Sequence, residues 1–294
     1  MDKQADNFDV MNLEDDAIAY KRNLLVVKAN ELIQRSRSQL TAQQYDILSY
    51  LISKIKPREE PEHLYSFSIK EFCKLRNKDA TEGWYYTTIK NDIQAIASIN
   101  LWILQENGKE RLTHWIDDAF IEKGNGIIEI SFHKSIYPYL FSLRENFTAF
   151  PLEYTLCLKT VYAKILYELL KSMERLNGAR FLDISYLMKQ MGVDYKYYYD
   201  FKRFVLDKAI KEINELTDLE VIAIPKRLNP NNKRAVSHIA FTIKNIKYDD
   251  VWGIRCANRR LVLDNDFAKS VRDEVEYNKQ LLIDGLPNGN EDDI

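Results

Sequence analysis

Three features of this sequence together predict an α+β fold of two tandem winged-helix domains related by internal duplication. A helix feeds straight into a strand, a basic turn and a returning strand over Tyr197–Ile243, the same order occurs about 117 residues earlier, and basic charge gathers in the later copy. In the later copy Leu206, Ala209, Ile210, Ile213 and Leu216 recur at three- and four-residue spacing and share one helix face. Asp200 is expected to cap this helix, because a short carboxylate accepts from the free first-turn amides. Lys202 and Arg203 then fall in the first turn, where cations oppose the positive end of the helix dipole. A helix that accepts this cost is expected to hold its cations for a polyanion. Beyond Leu216 the pattern turns to strand alternation at Leu219, Val221 and Ile224. A basic turn, PKRLNPNNKRA, leads to a returning strand at Val236–Ile243.

The earlier copy follows in the same order. Leu24–Val27 is a short strand. Thr41 and Gln44 form a capping box for a helix whose apolar face is Tyr45, Leu48, Leu51, Ile52 and Ile55. After a charged loop at 56–63 and a strand at Tyr65–Phe67, Ser68 and Glu71 open a second helix. A loop at 77–83 precedes a third, Trp84 to Ile99, with Ile89, Ile93, Ile96 and Ile99 inward. A strand at Leu101–Leu104 is followed by a hairpin of Arg111–Glu122 and Ile127–Phe132, turning on Gly124-Asn125-Gly126, and Ser135–Leu143 closes the domain. The order restarts with a long helix, Leu156–Met173, expected to pack the two domains together. Then come a strand at Phe181–Leu182 and a helix capped by Asp183.

The offsets support duplication. Tyr45, Leu48 and Ile52 match Tyr162, Ile165 and Leu169, 117 residues on, and Ile89, Ile93, Ile96 and Ile99 match Leu206, Ile210, Ile213 and Leu216 at the same offset. Ser68 matches Asp183 at 115, and Leu101 matches Leu219 at 118. This period is far beyond the roughly 20–50 residues of solenoids. The expected division is a disordered acidic arm at 1–23, a first domain at 24–147, a second at 148–247, and an acidic, partly helical tail at 248–294.

The net charge of −2 conceals an asymmetry. Residues 24–147 hold 16 basic and 16 acidic side chains, whereas 148–247 hold 17 and 11, a net of +6. Residues 1–23 carry 3 basic and 6 acidic, and 248–294 carry 6 and 11, so both ends are acidic. Local field matters more than total charge for docking on DNA. No apolar run reaches the roughly 18 residues of a membrane span, and the acidic start lacks an apolar signal core, so a cytoplasmic protein without membrane contact is expected. Three scattered cysteines suggest neither a disulfide framework nor a zinc site. No phosphate-binding GxxxxGK[ST] run occurs, and the four histidines are isolated, so neither cofactor nor metal is expected.

The run DFKRFVLDKAIKEIN (200–214) closely resembles the signature of the Rep initiators of iteron-bearing, theta-replicating plasmids. NLLVVKANELI (23–33), the helix start at Leu40–Thr41 and TDLEVIAIPKR (217–227) are similar to that family too. The resemblance implies a non-enzymatic, sequence-specific binder of repeated double-stranded origin sites, which helps open the origin. It also implies recruitment of host replication proteins such as a helicase or initiator, and a homodimer in equilibrium with a monomer, the dimer repressing its own promoter.

A winged helix lays its third helix in the major groove. Lys202, Arg203, Lys208 and Lys211 are the candidates in the second domain, with Arg203 suited to guanine because its fork matches paired acceptors. Lys226, Arg227, Lys233 and Arg234 of the wing suit phosphate or minor-groove contact. In the first domain Thr87, Thr88, Lys90, Asn91 and Gln94 either read bases or are exposed polar positions. That wing tip, EKGNGI, has one lysine, so the first domain is expected to grip more weakly. A solvated charged surface is the alternative throughout. Tyr195, Tyr197, Tyr198 and Tyr199 are expected to pack or to bond phosphates. A rolling-circle nicking role for them lacks the metal-binding histidines. A transcriptional regulator with the same modules is the remaining alternative. The hairpin at 111–132 has apolar side chains on both faces, and Ile116 and Ile121 are expected either to face a second copy or to pack against the second domain or the Ser135–Leu143 segment.

Overall fold

The computed structural model describes residues 24–245 except 56–60, 62–63, 77, 79–82, 106, 122–125, 177 and 231–233. The expected acidic arm, most of the two loops at 56–63 and 77–83, Gly124 and Asn125 of the hairpin turn, Lys233 and the expected tail from 248 lie outside the described residues.

The first half runs β1 (Leu25–Ala29), α1 (Asn30–Arg35), β2 (Ser36–Arg37), α2 (Ala42–Ile52), β3 (Tyr65–Ser68), α3 (Ile69–Leu75), α4 (Gly83–Ser98), β4 (Leu101–Leu104), β5 (Glu110–Thr113), β6 (Ile116–Ile121), β7 (Ile127–Phe132) and α5 (Tyr137–Leu140). The second runs β8 (Phe147–Pro151), α6 (Leu152–Cys157), α7 (Val161–Lys171), β9 (Arg180–Asp183), α8 (Ile184–Met191), α9 (Tyr198–Phe201), a π turn (Lys202–Leu206), α10 (Asp207–Leu216), β10 (Leu219–Lys226) and β11 (His238–Asn245). Local chemistry sets the helix ends. Thr41 and Gln44 complete a capping box, the Ser68 hydroxyl accepts from the Glu71 amide, and Asp183 accepts from the amides of Ser185 and Tyr186. Gly192 ends α8 at φ 65°, a left-handed conformation that glycine adopts without a Cβ clash.

The two copies are joined strand to strand. β1 and β8, the opening strands of the halves, pair antiparallel from Leu25↔Pro151 to Ala29↔Phe147. The other sheets order as β2-β4-β5, β3-β7-β6 and β10-β11-β9. One continuous apolar core runs through both halves, from Ile47 and Leu51 of α2 to Leu166 and Leu170 of α7 and Phe201 and Ile213 beyond.

Several expectations are corrected. The helix expected over Leu156–Met173 is two helices, α6 and α7. Thr160 caps α7 by accepting from Ala163 N, and the amides of Lys159 and Thr160 donate to Glu212 at 2.9 and 3.2 Å, so the break is satisfied by a side chain from α10. Within this segment α7 packs on α2 and on α10. The first helix pair aligns at an offset of 119, not 117: N-caps Thr41 and Thr160 and C-caps Ser53 and Ser172 agree on it. Apolar rows repeat every turn and tolerate a shifted register, whereas caps do not. Nor is α2 amphipathic: Asp46 and Ser49 are buried along with Ile47, Leu48 and Leu51. The strand expected over Arg111–Glu122 is two, β5 on β4 and β6 on β7, in different sheets. The chain breaks between them, so the consecutive Trp115 and Ile116 both enter the core. Ile116 is 4% exposed and Ile121 packs against the core, so neither is the outward surface expected for a second copy.

Candidate nucleic-acid interface

The motif that opens at Asp200, residues 200–218, sorts into two sets of side chains. The first set builds the fold. Phe201, Val205, Leu206, Ala209 and Ile213 are buried. Asn214 clips helix to strand, donating to Val221 O at 3.0 Å and accepting from Val221 N at 2.7 Å. Thr217 and Asp218 make the corner: the Thr217 hydroxyl donates to Ile213 O, and buried Asp218 accepts from Tyr167 at 3.0 Å and Lys171 at 2.6 Å. Burial, with Asp218 adding to it, pushes the Tyr167 phenol well above its ordinary range, so it keeps the proton that it donates to Asp218.

The second set faces outward. Arg203, Phe204, Lys208 and Lys211 are exposed along one side of the helix. Arg203 and Lys208 flank the Phe204 ring, with the guanidinium carbon 5.3 Å and the ammonium 5.9 Å from its centroid. Lys211 stands 3.8 Å from Glu215. Lys202 differs, because Asp207 binds its ammonium at 2.7 and 2.5 Å. The pair is five residues apart, the spacing a π turn brings together, and Asp207 N–H donates to the Lys202 carbonyl. Lys202 is therefore partly neutralised where a free cation was expected.

The helix start is also corrected. Its N-cap is Tyr197 and Asp200 makes no cap bond, lying instead within the first turn. Lys202 and Arg203 follow one turn later, so neither opposes the dipole as expected, and Asp200 complements it. Among the tyrosines, Tyr195 stacks toward Phe201, whereas Tyr199 is 80% exposed.

The wing hairpin pairs from Leu219↔Asn245 to Lys226↔His238, and Ser237 N donates to Lys226 O at its base. Lys226 is half-buried, while Arg227 and Arg234 are exposed. On α4, Thr87, Lys90, Asn91 and Gln94 are exposed, but the Thr88 hydroxyl donates to Trp84 O at 3.0 Å. Trp84 itself is 61% exposed. Reading by charge and polarity passed over Phe204, Trp84 and the π turn. The turn did leave a trace, because buried Phe201, Val205, Ala209 and Ile213 are spaced by four. In an unbroken α-helix each such step overshoots a full turn by about 40°.

Among the described residues no cluster of three or more His, Cys, Asp or Glu side chains could hold a metal ion, and no helix is long and apolar enough to cross a membrane. The fold matches that of the Pi initiator protein, solved in complex with iteron DNA, at a TM-score of 0.62 and 18% identity, covering 77% of this chain and 99% of that one. A structure of domains 2 and 3 of RctB is more distant, with a TM-score of 0.42 and 14% identity over 71% of this chain and 85% of that one. Residues 25–171 match the family model described as Initiator Replication protein, WH1, and residues 183–243 match Initiator Rep protein, WH2. The first match runs on through β8, α6 and α7, the second covers the motif and its wing, and the chain belongs to the initiator replication protein family.

Proposed function

We propose that this chain is a sequence-specific initiator of plasmid replication. It binds repeated double-stranded origin sites through its second winged helix, helps open the origin and recruits host replication proteins such as a helicase or initiator. Its action is cytoplasmic and needs no catalytic step of its own. The observation that carries the reading is the sorting of the opening motif: Arg203, Phe204, Lys208 and Lys211 have no role inside the fold and share one exposed helix side. The likeness to a Pi structure that holds iteron DNA supports it. Residues 24–147 and 148–247 form the two modules. The second supplies most of the affinity, since it holds the net +6 and the more basic wing. Thr87, Lys90, Asn91 and Gln94 add weaker contacts from the first. Arg203 reads guanine, Lys208 and Lys211 hold the flanking backbone, and Lys226, Arg227, Lys233 and Arg234 hold phosphates beside the groove. A dimer in equilibrium with the monomer represses the chain's own promoter.

The test uses a duplex selected from random DNA by the full chain. Arg203→Ala should lose about 1–3 kcal/mol of discrimination between that duplex and random DNA. Arg227→Ala should weaken both alike and flatten the salt slope by about one. Equal losses on both duplexes for Arg203→Ala rule out its base-reading role.

A further inference from the structure

Phe204 is 45% exposed on a helix that buries Phe201, Val205 and Leu206 around it. A phenyl ring left 45% exposed on a charged outward face stabilises the fold less than a buried one would. The ring is nonetheless held, with Arg203 at 5.3 Å and Lys208 at 5.9 Å from its centroid. A cation over a ring face restrains both groups. On the major-groove edges the apolar feature is the thymine C5-methyl, and phenylalanine is among the side chains that contact it.

We infer that Phe204 is a specificity-determining residue that packs on a thymine methyl beside the guanine read by Arg203. The inference rests on the proposed DNA-reading role of this helix and adds a second base to it. The 5.3 Å between guanidinium and ring is more than one base step of about 3.4 Å and less than two, so the thymine lies one or two pairs from the guanine. Arg203 then reads by hydrogen bonds and Phe204 by shape.

The experiment takes the duplex selected by the full chain and replaces each thymine in turn with deoxyuridine, which lacks only the methyl. Wild-type protein should bind about fourfold more weakly for one methyl lost, at one or two thymines near the Arg203 guanine. Phe204→Ala should bind the unmodified duplex more weakly and show no further loss at those thymines, whereas Phe204→Leu should keep part of the methyl response. Replacing the guanine with 7-deazaguanine, which removes one acceptor, should still weaken Phe204→Ala. Wild-type binding indifferent to every deoxyuridine, or a methyl response undiminished in Phe204→Ala, overturns the inference while the 7-deazaguanine response leaves the DNA-reading role standing. A chain that selects no duplex at all defeats both.

Discussion

Asp207 decides how much free charge this helix face offers. Its carboxylate holds Lys202 at 2.5 Å, while Arg203 and Lys208 lean on an uncharged ring instead. Freeing Lys202 should therefore add a cation without touching Arg203 or Lys208. Asp207→Asn is expected to bind random DNA more tightly and to steepen the salt dependence by about one, the signature of one further phosphate neutralised. Titrations at several salt concentrations measure this. An unchanged slope would mean that Lys202 stays off the phosphates even when released. Asp183 is a residue of the opposite kind. Burial raises its carboxyl pKa, but hydrogen bonds from Ser185 and Tyr186 outweigh this and hold it below 3.8. A depressed acid stabilises the fold above its ordinary pKa, and this contribution fades only as pH falls through the lower value.

At the scale of elements, the helix that begins at Tyr198 carries two incompatible demands. Its inward side must meet α7 and the wing strands, and its outward side must present a continuous contact stripe. The wide turn at Lys202–Leu206 serves both, because it takes up the drift of the four-residue apolar spacing and brings Asp207 under Lys202. Glu212 then ties the same helix to the start of α7. This helix is thereby fixed to the seam between the halves as well as to its own wing.

Across the whole molecule, the apolar core that joins the halves encloses buried charge at that seam. Lys28 of β1 donates to both oxygens of Glu168 on α7, at 2.7 and 2.9 Å, and sits 4.9 Å from the Tyr45 ring. Lys164 of α7 meets Asp46 of α2 at 2.6 Å, with Arg76 on the other oxygen at 3.1 Å. Burial pushes Asp46 up and Lys164 down, outweighing their mutual attraction in both. Lys28→Met should cost about 3–5 kcal/mol, because it leaves the Glu168 carboxylate buried without its cation. Adding Glu168→Leu should recover most of that loss in denaturant midpoint. A double variant as unstable as the single one would show that packing, not the unpaired charge, sets the cost. The proposed dimer belongs to this scale too. Trp102, Leu104 and Leu112 are exposed on neighbouring strands β4 and β5, with Trp102 opposite Leu112. An apolar patch of this kind can meet its copy about a two-fold axis. Leu112→Glu should sediment as a monomer and still bind a single origin site. A folded variant that remains dimeric removes this face from consideration.

The sequence by itself determined the duplicated order of elements, the caps at Thr41, Ser68 and Asp183, and the apolar rows of the third helix in each half. Each rests on interactions within a turn or two of chain, so spacing and residue type suffice to specify them. Tertiary structure decided which cations of the motif are free, where the helix before the second domain breaks, and that Ile116 belongs to the core. It also decided that Lys28, Asp46, Lys164 and Glu168 lie inside, in pairs 118 and 140 residues apart. No local period records a partner at that distance. A charge on an apolar helix reads as its solvated edge until the facing element is in place.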